Sequence, residues 1–177
     1  YKTVFLVGEL EGTFYIYTGF LDHVTNAVFV RWYWDLQLYV NQKTQTYNYI
    51  ENNTLQDPFY EQVFIPLFEA EGKKNGLQLY AVADDRKKPD KFTRIEGNLE
   101  PLNRLGKLVL NIAEENNPHM KRLEEQFKAV EPTLGAPVDG VDAVEGGVWI
   151  IQNKLLQVKP EDFSFGNRGV KNSKNRY

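Results

Sequence analysis

The fold class is decided by residues 2–20, which read KTVFLVGELEGTFYIYTGF. Two runs of apolar, β-branched and aromatic residues flank the turn pair Glu11-Gly12, and this pattern predicts a β-hairpin. Because both runs are nearly continuous, we expect both strands to lie in the core of a sheet. Helical and strand patterns then alternate along the chain. The sequence therefore predicts an α/β domain with a mixed sheet.

Three of the predicted helices begin with recognisable caps. Thr25 or Asn26 can cap the first helix, since their side-chain oxygens accept hydrogen bonds from free backbone amides. Asp57-Pro58 and Asn117-Pro118 each combine such a cap with a proline at the first helical position. These signals place three helix starts with little ambiguity.

The remaining elements follow from periodicity. Pro66 should kink or interrupt the helix that starts at Asp57, and residues 89–106 read as a further helix. Short strands are predicted over 47–51, 77–83 and 107–111. The last helix has apolar residues at alternating spacings of three and four, which predicts a buried face. These residues are Val141, Val144, Val148, Ile151 and Leu155.

Composition limits the chemistry. The 177 residues, 42% of them hydrophobic, are enough for one sizeable core, and no apolar run is long enough to span a membrane. The chain has no cysteine, which excludes disulfides, thiolate zinc sites and cysteine nucleophiles. His23 and His119 have no carboxylate partner at metal-ligand spacing, so we expect both to be structural or exposed. A bound metal would therefore have oxygen ligands, which favours Mg²⁺ or Mn²⁺.

Two acidic motifs lie far apart in the sequence. Glu51 ends the predicted strand in Tyr49-Ile50-Glu51-Asn52-Asn53, and Asp139 and Asp142 stand three residues apart at the start of the last helix. If that helix packs across the strand, three carboxylates converge at the carboxyl end of the sheet, and such a group requires cations. Two divalent ions about 4 Å apart would suit phosphodiester hydrolysis. Taken singly, each acid also has a purely structural interpretation. Asp142 is then a helix N-terminal acid stabilised by the helix dipole, Asp139 a turn acid before that helix, and Glu51 a surface acid at a strand end.

Basic residues form two stripes. The first contains five cations in nine residues at a predicted helix start. Cations interact unfavourably with the helix dipole at that end, so their presence suggests a phosphate-bearing partner. The alternative is a solvated helix end. The members of this stripe are Arg86, Lys87, Lys88, Lys91 and Arg94. The second stripe is the tail, which reads equally as a DNA-binding basic segment and as an ordinary disordered terminus. Its cations are Arg168, Lys171, Lys174 and Arg176. We therefore predict a domain over 1–160 and a basic tail over 161–177.

Several segments together resemble the C-terminal nuclease domain of the large terminase subunit of tailed bacteriophages. The run from Lys88 to Glu96, KPDKFTRIE, followed at this distance by DGVDA at 139–143, is the most specific part of the likeness. The YIENN motif at 49–53 adds to it, and the likeness extends to about Asn153.

This resemblance implies an RNase H-like fold, related to junction resolvases, with a central mixed sheet flanked by helices. It implies two-metal cleavage of concatemeric double-stranded DNA, with Glu51, Asp139 and Asp142 as catalytic metal ligands. Lys88, Lys91 and Arg94 would contact the DNA backbone or order the loop near the scissile phosphate. The implied partners are a portal protein, a small terminase subunit and an ATPase domain upstream in the same polypeptide. The implied location is the cytoplasm of the host cell.

One departure from the family opens alternatives. The family's first metal-ligating aspartate lies on a strand ahead of the hairpin, and this sequence begins at Tyr1 with the hairpin itself. Asp22, at the end of the second strand, is the nearest substitute. The alternative functions are a module that binds DNA or a portal protein without cleaving, and a junction resolvase.

Overall fold

The computed structural model describes residues 1–51, 60–84, 86–133 and 135–156. Several predictions fall outside these ranges: the Asp57-Pro58 cap, the Asn52-Asn53 pair, the domain boundary at 160 and the basic tail. The tail cations Arg168, Lys171, Lys174 and Arg176 are therefore not placed. In the parts of the chain that are described, no helix is both long and apolar enough to cross a membrane.

A three-stranded mixed sheet is built on the hairpin. Strand β1, Lys2–Leu10, pairs antiparallel with β2, Thr13–Asp22, through a turn in which Glu11 and Gly12 have φ angles of 52° and 77°. Glycine adopts this left-handed conformation without steric cost. Strand β5, Leu108–Leu110, pairs parallel with the other edge of β2. The predicted hairpin is confirmed.

A second, two-stranded parallel sheet lies beside the first. It consists of β3, Asn48–Glu51, and β4, Ala81–Asp84, and their register places Glu51 opposite Asp84. Among the described residues no strand joins the two sheets. The sequence predicted one mixed sheet, whereas the structure has two, with the gap between β1 and β3. Strand β4 also begins later than the predicted 77–83.

In the described part of the chain, five α-helices pack around the sheets. They are α1 (Asn26–Val40), α2 (Ile65–Asn75), α3 (Lys91–Arg104), α4 (Pro118–Lys128) and α5 (Asp139–Ile150). A π-helical turn, Tyr60–Phe64, precedes α2, another, Ile151–Leu155, follows α5, and a 3₁₀ turn covers Ile112–Glu114. Thr25 and Asn117 cap α1 and α4 as predicted. Pro66 lies in the first turn of α2, where amides have no hydrogen-bond partner within the helix, so a proline is tolerated there. The predicted interruption therefore falls at the start of a helix.

Two hydrophobic clusters occupy opposite faces of β1. One joins β2 and β5 to α3, α4 and α5, and within it Val141, Val144 and Val148 are fully buried, which confirms the predicted face of the last helix. The other joins α1, β3 and α2. Strand β1 itself contains no buried residue. The expectation that both hairpin strands lie in the core is therefore wrong for β1, because its second edge has no strand beside it among the described residues.

Gly140, between the two acids of the DGVDA motif, is required for close packing of α5. Its amide donates to Gln126 Oε1 at 2.7 Å, which satisfies one of the free donors at a helix N-terminus. A Cβ at this position would lie 2.9 Å from both Gln126 Oε1 and Leu21 Cδ2, and 3.0 Å from Leu123 Cδ1. The glycine thus allows α5 to approach α4 and β2.

We expect Gly140→Ala to lower the free energy of unfolding by about 1–3 kcal/mol, because the added methyl group overpacks a buried contact. Chemical denaturation measures the change. The matched control is Gly97→Ala on α3, where a Cβ meets nothing within 4 Å. That change should stabilise the protein by about 0.5–1 kcal/mol, since alanine favours the helix. Equal effects of the two substitutions would contradict the packing described for Gly140.

Candidate functional site

A groove of about 1460 Å³ lies between the two sheets. Strands β1 and β3 line it along its length, and the first turn of α5 reaches it with Asp139 and Asp142. Glu51, Asp84 and Lys88 line the same groove. The structure therefore brings all three sequence-predicted acids to one cavity, together with one of the predicted cations.

Asp139 and Asp142 have one cationic partner in common, Lys91. Lys91 Nζ, in the first turn of α3, lies 3.0 Å from Asp139 Oδ1 and 3.5 Å from Asp142 Oδ2. The amino group of Tyr1 is 3.9 Å from Asp139 Oδ2, and Arg94 forms a close ion pair with Asp142. Both carboxylates stand in the first turn of α5, so the helix dipole stabilises them as well.

Glu51 lies apart from this pair. It ends β3 with its side chain half exposed, and its partner is Lys88, whose Nζ is 2.9 Å from Glu51 Oε1. Beside it in the sheet register, Asp84 ends β4 and is buried. Arg86 Nε and Lys154 Nζ lie 3.3 Å and 3.7 Å from the Asp84 carboxylate. The carboxyl ends of both parallel strands thus carry an acid paired with cations.

Glu145 is the buried centre of the ion network and has no exposed surface. Arg86 binds it through two hydrogen bonds of 2.8 and 3.3 Å and stacks on Trp149, with its guanidinium carbon 4.4 Å from the ring centroid. Arg94 Nε lies 3.5 Å from Glu145 Oε2, and Asn98 Nδ2 donates to Oε1 at 2.7 Å. A buried carboxylate requires partners of this kind, because an unpaired charge in the interior is strongly disfavoured.

The five cations of the first basic stripe, which were predicted to contact DNA, divide into two groups. Arg86 and Arg94 have side chains only 10% and 7% exposed and are bound to acids. Lys87 is exposed, Lys88 lines the groove with 17% of its side chain exposed, and Lys91 is 30% exposed beside Asp139 and Asp142. In this arrangement the lysines are accessible to a phosphate, whereas the arginines hold the acids in place.

Asp84 and Glu145 belong to the ion network but were not among the sequence-predicted site residues. A signal existed for each. Glu145 continues the three-residue spacing of Asp139 and Asp142, and Asp84 closes a predicted strand just as Glu51 does. Neither signal reveals burial, because burial depends on which elements pack together.

A divalent metal ion requires several oxygen or nitrogen ligands from the protein. Within residues 1–51, 60–84, 86–133 and 135–156, no group of three or more carboxylate or imidazole side chains could hold one. Asp139 and Asp142 nevertheless lie on either side of one ammonium, and their oxygen donors suit Mg²⁺ or Mn²⁺. Two carboxylates therefore face one cationic group here, and Glu51 lines the same groove.

The histidines and Asp22 lie elsewhere. His119 Nδ1 is 3.1 Å from the Leu21 carbonyl oxygen, and its ring packs against Phe20 at 5.4 Å between centroids. His23 stacks on Tyr1, with ring centroids 3.9 Å apart. Asp22 lies 3.4 Å from Arg122 at the end of β2.

Helix α3, which presents Lys91, is capped by Asp90. The Thr93 amide donates to Asp90 Oδ2 at 3.0 Å and the Thr93 hydroxyl at 3.1 Å, and these bonds hold the pKa of Asp90 below its ordinary value. The unfolded-state pKa is about 3.9. Because the folded-state pKa is lower, the carboxylate stabilises the fold above the unfolded-state value, and this contribution is lost as the pH falls through the folded-state value.

We therefore expect Asp90→Asn to melt at a lower temperature than the parent protein at neutral pH, because asparagine caps the helix without charge. The difference should shrink below about pH 4, where the parental carboxylate becomes protonated. Thermal unfolding measured across this range tests the expectation. A melting difference that does not change with pH would show that the Asp90 charge has no stabilising role.

Fold and site together define a mixed α/β protein with a groove whose lining includes four acids paired with basic side chains, Glu51, Asp84, Asp139 and Asp142. Models of known protein families give no match to this chain, and no curated protein matches it.

Proposed function

We propose that the chain is a metal-dependent DNA endonuclease domain with an RNase H-like fold, of the type found in the large terminase subunit of tailed bacteriophages. The observation that carries the proposal is the shared cation: one ammonium within 3.5 Å of both Asp139 and Asp142, at a groove that Glu51 also lines. Two carboxylates held this close are stabilised by a cation between them.

The charged side chains near the groove have different roles in the proposed function. Asp139 and Asp142 would hold a divalent cation, with Glu51 as a further oxygen ligand, and the bound metal would supply an activated water and charge stabilisation at the phosphate. Lys88 and Lys91, which pair with these acids, would bind phosphate oxygens of the substrate. Arg86 and Arg94 keep Glu145 and Asp142 in position from the buried side.

The partners belong to the same proposal. The substrate is concatemeric double-stranded DNA, and the enzyme acts in the host cytoplasm with a portal protein, a small terminase subunit and an ATPase domain upstream in its polypeptide. Of the substrate and partners proposed here, only the phosphate-bearing substrate is supported by the charged groove. The other partners rest on the sequence resemblance.

Metal removal is the direct test of activity. We expect the protein to nick supercoiled plasmid DNA in the presence of Mn²⁺ and to lose this activity completely in EDTA, with recovery when Mn²⁺ is added back in excess. Gel electrophoresis of the plasmid forms measures the rate. Absence of nicking in Mn²⁺ and in Mg²⁺ would contradict the endonuclease proposal.

A second candidate is a module that binds DNA without cleaving it. It is favoured by the absence of a group of three metal-holding side chains among the described residues. This candidate requires DNA binding that is equal in EDTA and in Mn²⁺, weakened by salt as expected for phosphate contacts, with no nicking in either condition. The two candidates are therefore separated by the same pair of conditions.

A further inference from the structure

Glu145 is the third acid on one side of α5, one turn beyond the two that reach the groove. Asp139, Asp142 and Glu145 follow one another at spacings of three residues. The first two line the groove, whereas neither Glu145 nor Arg94 is among the described residues that line it. Glu145 also has no exposed surface. It therefore cannot contact a bound molecule, and any influence of Glu145 on the site passes through the side chains that it binds.

Arg94 connects Glu145 to Asp142. Its Nη2 forms the close ion pair with Asp142 Oδ1, and its Nε lies 3.5 Å from Glu145 Oε2. Only 7% of the Arg94 side chain is exposed, so water competes little for the guanidinium group. Because this group is planar and rigid, its contact with Glu145 on one side fixes where it meets Asp142 on the other.

The Glu145 carboxylate is itself held by two further side chains. Asn98, one turn beyond Arg94 on α3, donates to Oε1 at 2.7 Å. Arg86 donates to Oε1 at 3.3 Å and to Oε2 at 2.8 Å, and its guanidinium carbon lies 4.4 Å from the centroid of the Trp149 ring. A buried polar network in which both acceptor oxygens are occupied is rigid. Glu145 is thus a fixed anchor for Arg94.

The two oxygens of Asp142 have different surroundings. Oδ1 is bound by the buried Arg94, whereas Oδ2 lies 3.5 Å from Lys91 Nζ. The Asp142 side chain is 13% exposed, against 38% for Asp139, whose partners in the described part of the chain are ammonium groups. The contact with Arg94 therefore determines which oxygen of Asp142 is available to the cation that it shares with Asp139.

We infer that Glu145 is a positioning residue. Through Arg94 it fixes the Asp142 carboxylate, with Oδ1 held in the interior and Oδ2 presented to the cation bound by Asp139 and Asp142. The inference rests on the proposed function for the identity of that cation, a divalent metal. Side chains that orient a metal-binding group typically contribute about 10- to 100-fold to metal affinity. Glu145 makes such a contribution without contacting the metal.

Two substitutions break this connection in different ways. Glu145→Gln replaces one acceptor oxygen by an NH₂ donor, and in either orientation of the amide this donor faces an N–H group of Arg86. Arg94→Lys keeps the positive charge but loses the planar fork that sets the relative position of the two acids. A purely electrostatic role for Arg94 therefore predicts no change in Arg94→Lys, whereas a positioning role predicts a loss in both variants.

Binding of Mn²⁺ is measured without DNA, by electron paramagnetic resonance of the free ion, at a temperature where each variant is folded. We expect saturable binding by the parent protein and binding about tenfold or more weaker in both variants. The matched control is Leu99→Ala, which destabilises the same helix by opening a cavity at a core residue that is 3% exposed. Its Mn²⁺ affinity should equal that of the parent. Crystal structures of the two metal-free variants should show the Asp142 carboxylate turned from its parental orientation.

Several results would overturn the inference. Parental Mn²⁺ affinity in both variants, or an unchanged Asp142 carboxylate in their crystal structures, would show that Glu145 does not position Asp142. Weaker binding in Glu145→Gln alone would assign the effect to charge, and an equal loss in Leu99→Ala would assign it to stability. If Glu145→Gln does not fold, Arg94→Lys decides. Absence of saturable binding by the parent protein would instead contradict the proposed function, and the inference would fall with it.

Discussion

Glu145→Gln is expected to lower the free energy of unfolding by about 3–5 kcal/mol, the typical cost of breaking a buried ion pair. Glu145 has no exposed surface and is bound by Arg86, Arg94 and Asn98. Glutamine has nearly the same shape, so the change removes the charge without opening a cavity. It leaves two largely buried guanidinium groups with one anion fewer between them, and chemical denaturation measures the loss.

The control is Glu124→Gln on α4. Glu124 is 56% exposed and pairs with Lys128 one helical turn away at 2.6 Å. An exposed pair of this kind contributes little, so the change should alter stability by less than about 0.5 kcal/mol. If the two substitutions had the same effect, the buried network would not stabilise the fold as described.

Asp139→Asn is expected to reduce Mn²⁺-dependent nicking by about 100-fold or more, because a metal ligand contributes several kcal/mol to stabilising the transition state. The Asp139 side chain is 38% exposed, with Lys91 and the Tyr1 amino group as its ionic partners. The variant should therefore fold, and its melting temperature should stay close to that of the parent. Initial nicking rates at saturating Mn²⁺ measure the effect.

Glu100→Gln serves as the matched control for activity. Glu100 is also an exposed helical carboxylate with a basic partner, Arg104 at 3.1 Å, but it lies on α3 away from the groove. Its nicking rate should equal that of the parent protein. A parental rate in Asp139→Asn would remove Asp139 from the proposed metal site.

Local sequence signals predicted much of the fold. The Glu11-Gly12 turn, the Thr25 and Asn117 caps and the apolar spacing of α5 each depend on residues close together in the chain, and each is present. The division of the sheet was not predicted, because strand pairing is decided by distant residues. For the same reason β1, whose apolar sequence suits a central strand, is only half-buried.

The candidate site shows the same limit. Asp139 and Asp142 were placed on one helix face by their spacing, and that arrangement is present. The pairing of Lys91 with Asp139 joins residues 48 positions apart, and that of Arg86 with Glu145 joins residues 59 apart. Spacing in sequence gives no information on such contacts. The sequence therefore identified three acids of the groove and the basic residues nearby, but not which cation pairs with which acid.

The proposed nuclease function requires Asp139 and Asp142 to hold a divalent metal at the groove. The most direct measurement is an anomalous difference map from a crystal of the protein soaked in Mn²⁺. We expect a peak within bonding distance of both carboxylates, with Lys91 displaced from its position between them. A map with no peak there, and with Lys91 still bound to both acids, would contradict it.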